Sequence, residues 1–179
     1  MLTNILKSGL VAGLIAGVGL SLTIAVAGDS IGHGYLGMAV GYAIMLVALS
    51  LVFLAIKRER DVAGGGVIRF WPAFAMGLAI SAIASVVYVI AWETAQATLI
   101  HGDFAKSYGD AIISEQRAAG ASAAELAKTM REMAEFTTQY HDPLFRWPMT
   151  FMEIFPVGVL VSLIAAALLR NPRFMPARG

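Results

Sequence analysis

Glu153 offers the most chemistry in this chain, because it stands within a long apolar run where an ionisable side chain needs protein, water or a ligand beside it. Arg146 precedes it by seven residues, which on a helix puts both on one face with Thr150 near the line between them. Pro156 has no backbone N–H, so the carbonyl of Met152 loses its helical donor close to the carboxylate. A carboxylate, a freed carbonyl and a hydroxyl gathered in this way suit a small cation or a hydrogen-bond donor. The plain alternative is structural, with Glu153 paired to Arg146 or another neighbour to hold a kink. Glu93 is the other carboxylate at the edge of an apolar run, next to Trp92, and reaching out to water is its simpler role.

The three histidines, His33, His101 and His141, lie near Asp29, Asp103 and Asp142. With Glu93 or Glu153 they could assemble a divalent-metal or proton-sensing site, since imidazole and carboxylate suit such metals and histidine titrates near neutral pH. Their spacing matches no metal motif, and three ordinary interfacial histidines are the simpler expectation. Catalytic signatures are missing: no His-Glu-x-x-His, no serine-nucleophile motif and no paired spanning aspartates, so an enzyme is the least expected class. Gly64-Gly65-Gly66 lacks the following Gly-Lys-Ser or Gly-Lys-Thr of a phosphate-binding loop. With no cysteine there is neither a disulfide framework nor a thiolate cluster. No cofactor and no nucleic-acid partner is expected.

The elements that must position these groups are four apolar stretches, from about Ser8 to Ala27, Tyr35 to Ile56, Pro72 to Trp92 and Phe151 to Leu169, the last opened by Trp147. Each approaches the roughly 20 residues that a spanning helix needs. The 58% apolar content and mean hydropathy of +0.73 would leave a soluble protein of this size with a large uncovered apolar surface. The fold class expected is therefore an all-α integral membrane protein, one four-span domain over residues 1–179, with membrane lipid as its first partner.

Charge sets the orientation. The segment Gly28 to Gly34 has no Lys or Arg, whereas Lys7, the loop with Lys57, Arg58, Arg60 and Arg69, and the tail with Arg170, Arg173 and Arg178 do. The positive-inside rule then places both termini in the cytoplasm and the segment between spans three and four outside. From His101 to Arg146 that segment holds five basic and seven acidic residues. Trp71 and Trp92 lie 21 residues apart, roughly 31 Å along a helix, and with Trp147 sit where an aromatic belt would put them. Lys7, the first apolar run and Ala25-Val26-Ala27 also resemble a signal peptide. A retained span is preferred, because cleavage would leave an odd number of spans and an unexplained charge bias.

Small residues recur at four-residue intervals in every span: Gly9, Gly13 and Gly17; Gly37 and Gly41; Gly77, Ser81 and Ser85; Gly158, Ser162 and Ala166. Such stripes let helix backbones approach closely. Compact assembly of the bundle is the first expectation, and a homo-oligomeric contact through the pure-glycine stripe of span one is the sharper one. By helical angle Glu153 points nearly opposite the Gly158 stripe and should meet a different neighbour. Between spans three and four, residues 103–141 read as a helical hairpin. Asp103 caps its first helix, Gly120 ends it, and Ser122 with Glu125 forms a capping box for the second. Leu126, Met130, Met133, Thr137 and Tyr140 give the second helix a largely apolar face, suited to the bundle, the headgroup layer or a protein partner.

Several segments together resemble a known family. They are Tyr35-Leu36-Gly37-Met38 with Gly41-Tyr42, Ile56-Lys57-Arg58 before Gly65-Gly66-Val67-Ile68-Arg69-Phe70, and above all Asp142-Pro143-Leu144-Phe145 with Phe151-Met152-Glu153-Ile154-Phe155-Pro156-Val157-Gly158. They are similar to the bacterial membrane proteins grouped as domain of unknown function 4199. The resemblance covers essentially the whole chain and implies a small, four-span bacterial inner-membrane protein with an extracytoplasmic helical insert. It carries over no catalytic residue. Two functional readings lead: a structural or accessory membrane component, or a binding or transport module for a small solute, ion or lipid at an outward-facing site around Glu153 and Pro156.

Overall fold

The computed structural model describes residues 1–27 and 35–177; His33 and Asp29 lie outside the described residues. Among the described residues six α-helices follow one another: α1 Leu2–Ala27, α2 Tyr35–Arg58, α3 Phe70–Thr98, α4 Phe104–Ala118, α5 Ala123–Tyr140 and α6 Pro143–Leu169. No strand occurs among the described residues. α1, α2, α3 and α6 are long and apolar enough to cross a membrane, and their outward faces are apolar too. On α1, Leu10, Leu14, Val18 and Leu22 are exposed while Gly9, Gly13 and Gly17 are buried. Small residues inside and large apolar ones outside are the arrangement of a membrane-embedded bundle.

α3 is the axis of that bundle. Successive glycines of α1 meet successive turns of α3 in the same direction, Gly9 on Ile83, Gly13 on Val87 and Gly17 on Ala91, so α1 and α3 run parallel. α6 meets α3 antiparallel, and the contact is reciprocal: Gly77 faces Ser162, and Gly158 faces Ser81. The two serine hydroxyls lie 3.4 Å apart, and Ser162 also donates to the Gly158 carbonyl at 2.6 Å. Each serine thus fits where the other helix has no side chain, and no hydroxyl is left bare in an apolar seam. The glycine stripe of α1 is consequently occupied within the same chain. Gly41 departs from the expected packing role, because a side chain there would meet nothing within 4 Å, and Gly37 is only half-buried. The close approach between α1 and α2 uses Gly19 against Ile44 instead.

One end of the bundle gathers the termini. Asn4 donates to the Ala55 carbonyl at 3.1 Å and to Glu59 at 3.2 Å. After α2 the backbone widens into a π-helical turn, Glu59–Ala63, which swings Arg60 inward until its side chain is fully buried. Its guanidinium donates to Asp61 at 2.7 Å, to the Phe174 carbonyl at 2.9 Å and to the Met175 carbonyl. Phe174 stands edge-on to Phe53. The Lys57–Asp61 run is thus more than a flexible basic turn, since one of its arginines anchors the tail.

The opposite end carries the α4–α5 hairpin. The Asp103 carboxylate accepts from the Lys106 N–H at 3.1 Å, Gly120 leaves α4 at φ 82°, and the Ser122–Glu125 capping box is complete. The hairpin interior is narrow: Gly109 admits Met133, and Thr129 donates to Gln116 at 2.7 Å. Met130, expected on the apolar face of α5, is exposed, because the face that meets α4 runs through Thr129, Met133, Phe136 and Tyr140. α6 begins directly after α5, with Pro143 in its first turn and the Asp142 carboxylate accepting from the Leu144 N–H at 2.9 Å. α6 then continues as helix through Pro148 and Pro156, the latter leaving the Met152 carbonyl without its helical donor. Phe155 and Val157 on either side of Pro156 remain packed, and the helix is held by its neighbours in spite of the missing donor.

A Cβ at position 13 would stand 2.5 Å from Val87 Cβ and 2.9 Å from the Ala84 carbonyl. Gly13→Leu should therefore destabilise the bundle by about 1–3 kcal/mol through overpacking. Gly41→Ala should leave it unchanged or raise it by up to about 1 kcal/mol. Thermal unfolding of both variants in mild detergent checks the contrast; equal losses would remove the α1–α3 seam as an energetic feature.

Candidate functional site

Towards the hairpin end, the α3–α6 seam changes from small residues to polar ones. Beyond Ser81 and Gly158 comes Tyr88, which is 4% exposed and whose hydroxyl donates to Glu153 Oε1 at 3.4 Å. Glu153 itself is exposed on the outer surface of the bundle. Further along, Arg146 makes a two-pronged ion pair with Glu93, Nε to Oε1 and Nη2 to Oε2, both at 2.7 Å. Its third nitrogen, Nη1, donates to the Tyr140 carbonyl at 2.8 Å, and the guanidinium carbon lies 5.5 Å from the centre of the Tyr140 ring. The planar fork of arginine suits this simultaneous grip on a carboxylate, a carbonyl and an aromatic face.

The seam therefore rearranges the groups singled out by spacing. Arg146 and Glu153 do share α6, but Arg146 is taken by Glu93, which is bound rather than reaching out to water. Thr150 is buried and donates to the Arg146 carbonyl within its own helix at 3.1 Å. The Met152 side chain is exposed. Glu153 meets α3, the helix that the Gly158 stripe also meets, rather than a different neighbour. What remains at Glu153 is one carboxylate, one tyrosine hydroxyl and an open outer side. Tyr88 carried no sequence signal and Tyr140 only its place on the apolar face of α5; each acts here through a partner on another helix.

Trp92 is likewise not a lipid-facing belt residue. It is 9% exposed and donates from its indole to the Tyr140 hydroxyl at 2.7 Å. Phe104 stands edge-on to it with centroids 4.8 Å apart, Phe136 follows at 5.3 Å from Tyr140, and Leu20, Ile24 and Ile100 pack around this junction. Burial pushes the Tyr140 hydroxyl up to about 12, so it stays un-ionised and able to accept from Trp92. Trp71 and Trp147 are exposed, as a belt requires. The two histidines among the described residues, His101 and His141, stand apart from this site. His141 lies 3.2 Å from Asp103 with both side chains open to solvent, and His101 is exposed. No group of three or more His, Cys, Asp or Glu among the described residues is placed to hold a metal ion.

These observations define a class: a four-helix bundle of membrane type, organised around its third span, with a helical hairpin fastened to one end by an ion pair and an aromatic junction. The family described as "Protein of unknown function (DUF4199)" matches residues 7–171, and the chain belongs to that family. Nothing among curated proteins and nothing among solved structures matches it.

Two outcomes follow for the junction. Arg146→Met leaves Glu93 partly buried without its partner, so stability should fall by about 1–3 kcal/mol, less than for a fully buried pair because Glu93 keeps some access to solvent. Hydrogen exchange should then rise at Phe136–Tyr140 while the α1–α3 seam stays protected; unchanged exchange at α5 would show that the pair does not fasten the hairpin. The second outcome concerns pH. Hydrogen bonds from the Ser122 hydroxyl and backbone hold the Glu125 carboxyl below its ordinary value of 4.5. Its contribution is therefore full above about pH 4.5 and is lost as pH falls through the lower folded-state value. Amide protection factors in the first turn of α5 should fall over that window in the native chain and fall less in Ser122→Ala, which keeps only the backbone hydrogen bond to Glu125.

Proposed function

We propose that this chain is an accessory component of a bacterial inner membrane, a four-span anchor that holds a helical hairpin at a fixed attitude on the extracytoplasmic side. The single observation that carries this reading is the junction itself. Glu93, Arg146, Trp92 and Tyr140 tie α3, α5 and α6 together at the base of the hairpin. A loop that only connected two spans would have no use for a buried indole, a forked ion pair and a run of packed aromatic rings. The charge distribution supports the orientation, with both termini and the Arg60 turn in the cytoplasm.

Transport fits the geometry less well. The α3–α6 seam is filled by its glycines and serines, and the Arg146 and Thr150 groups that a solute would need are engaged within the protein. The binding reading contracts to Glu153, which faces outward from the bundle with the buried Tyr88 hydroxyl behind it.

Two measurements test the proposal together. A single cysteine at Glu125 should react with a membrane-impermeant maleimide added outside spheroplasts, whereas one at Ala177 should react only after the membrane is opened. Vesicles reconstituted with the purified chain should pass small cations and neutral solutes no faster than empty vesicles. Labelling at Ala177 from outside would reverse the orientation, and a solute flux above background would replace the accessory reading with a transport one.

A further inference from the structure

The strongest unassigned feature is the outer side of Glu153. Glu153 lies six residues inward of the exposed Trp147, about 9 Å along the helix and therefore below the interface that the indole marks. At that depth a carboxyl group needs a polar partner, because lipid tails supply none. On the protein side it has one, the Tyr88 hydroxyl at 3.4 Å. Tyr88 is otherwise sunk in the core, so the bundle orients the carboxyl without enclosing it. Around it, Met149, Met152, Pro156 and Leu160 are exposed, and three of these stand at helical intervals of three, four and seven residues from Glu153. They form one continuous ridge on α6. Unbranched methionine side chains repack readily against a new surface.

We infer that this ridge docks a transmembrane helix of another protein, and that Glu153 receives a lysine or arginine presented by that helix. The inference rests on the accessory reading and names the partner class that such a component would hold. Charge complementarity selects the occupant. A second copy of this chain offers no suitable group: apart from Arg146, which is bound to Glu93, the basic residues in or beside its spans are Lys7, Lys57, Arg58, Arg60, Arg69 and Arg170, at the termini end. A phospholipid amine is also poorly placed, since it lies outward of its own phosphate at headgroup level, whereas Glu153 lies inward of Trp147. A basic side chain on a neighbouring helix can reach that depth, and pairing of ionisable groups between helices is how such residues are usually accommodated.

A designed probe tests this directly. The full-length chain is reconstituted in phosphatidylcholine vesicles with a poly-leucine transmembrane helix carrying one lysine at the depth of Glu153, and association is read by energy transfer. The lysine helix should associate about tenfold more tightly than the all-leucine helix, the scale of a polar contact between helices in lipid. Glu153→Leu should abolish the difference, and Glu153→Gln should reduce it. Unfolding curves of both variants verify that the bundle is retained. The lysine helix should also protect Glu153 from a hydrophobic carbodiimide. Equal association of the two probes with the native chain would overturn the inference. Carbodiimide labelling indifferent to the lysine helix would make Glu153 a carboxyl that holds only a proton, and protection by phosphatidylethanolamine alone would make it a lipid site; each of these also overturns the docking. None of these outcomes alters maleimide labelling of the hairpin or solute flux, so the accessory reading stands or falls separately.

Discussion

Close approach of α3 to its neighbours is the constraint on which everything else in this molecule depends. In hydrocarbon, helices gain little from burying apolar surface against each other, so association has to come from intimate packing and satisfied polar groups. The α3–α6 seam supplies both, with Gly77 and Gly158 admitting the serines of the opposite helix and those hydroxyls finding acceptors along the seam. Because these contacts fix the antiparallel register, they also determine which residues meet further along. Tyr88 reaches Glu153 and Glu93 reaches Arg146 because the serines about two to four turns away are already matched.

The same register fastens the hairpin. Arg146 sits just inside the start of α6, where one side chain can hold α3 through Glu93 and the end of α5 through the Tyr140 carbonyl. The aromatic junction then carries that fixed point into α4, from Trp92 to Phe104 and on to Tyr108 and Phe136. Farther out, the hairpin depends only on its own narrow interface and its caps. Firmness thus declines from the bundle towards Gly120, in line with the loss of buried partners.

Much of the fold was legible in the chain. Spans show in their apolar length, and Asp103 and Ser122 with Glu125 announce helix starts by local hydrogen-bonding chemistry that needs no distant partner, whereas the start of α6 at Asp142 lies ahead of the apolar run that marks its span. Contacts across space were much less legible. A glycine stripe declares that something packs there but not what, so Gly13 and Gly41 looked alike although only one is covered. Arg146 had carboxylates available at Glu153 on its own helix and at Glu93 on another, and only the register decides between them. On α5, periodicity put Met130 inward; the hairpin partner turns the helix by about one residue and brings Thr129 in instead. Arg60 read as one more topological charge, since nothing local reveals that the tail returns to cover it.

The parallel pairing of α1 with α3 has a consequence for biogenesis. During synthesis the first helix leaves the insertion machinery with its glycine groove facing lipid, because α2 packs on another face of α1, through Gly19 and Asn4. The groove waits until Ile83, Val87 and Ala91 have been translated. α1 is thus an early arrival that is assembled late, and in that interval its backbone is open to quality-control proteases and to foreign helices that fit a narrow groove.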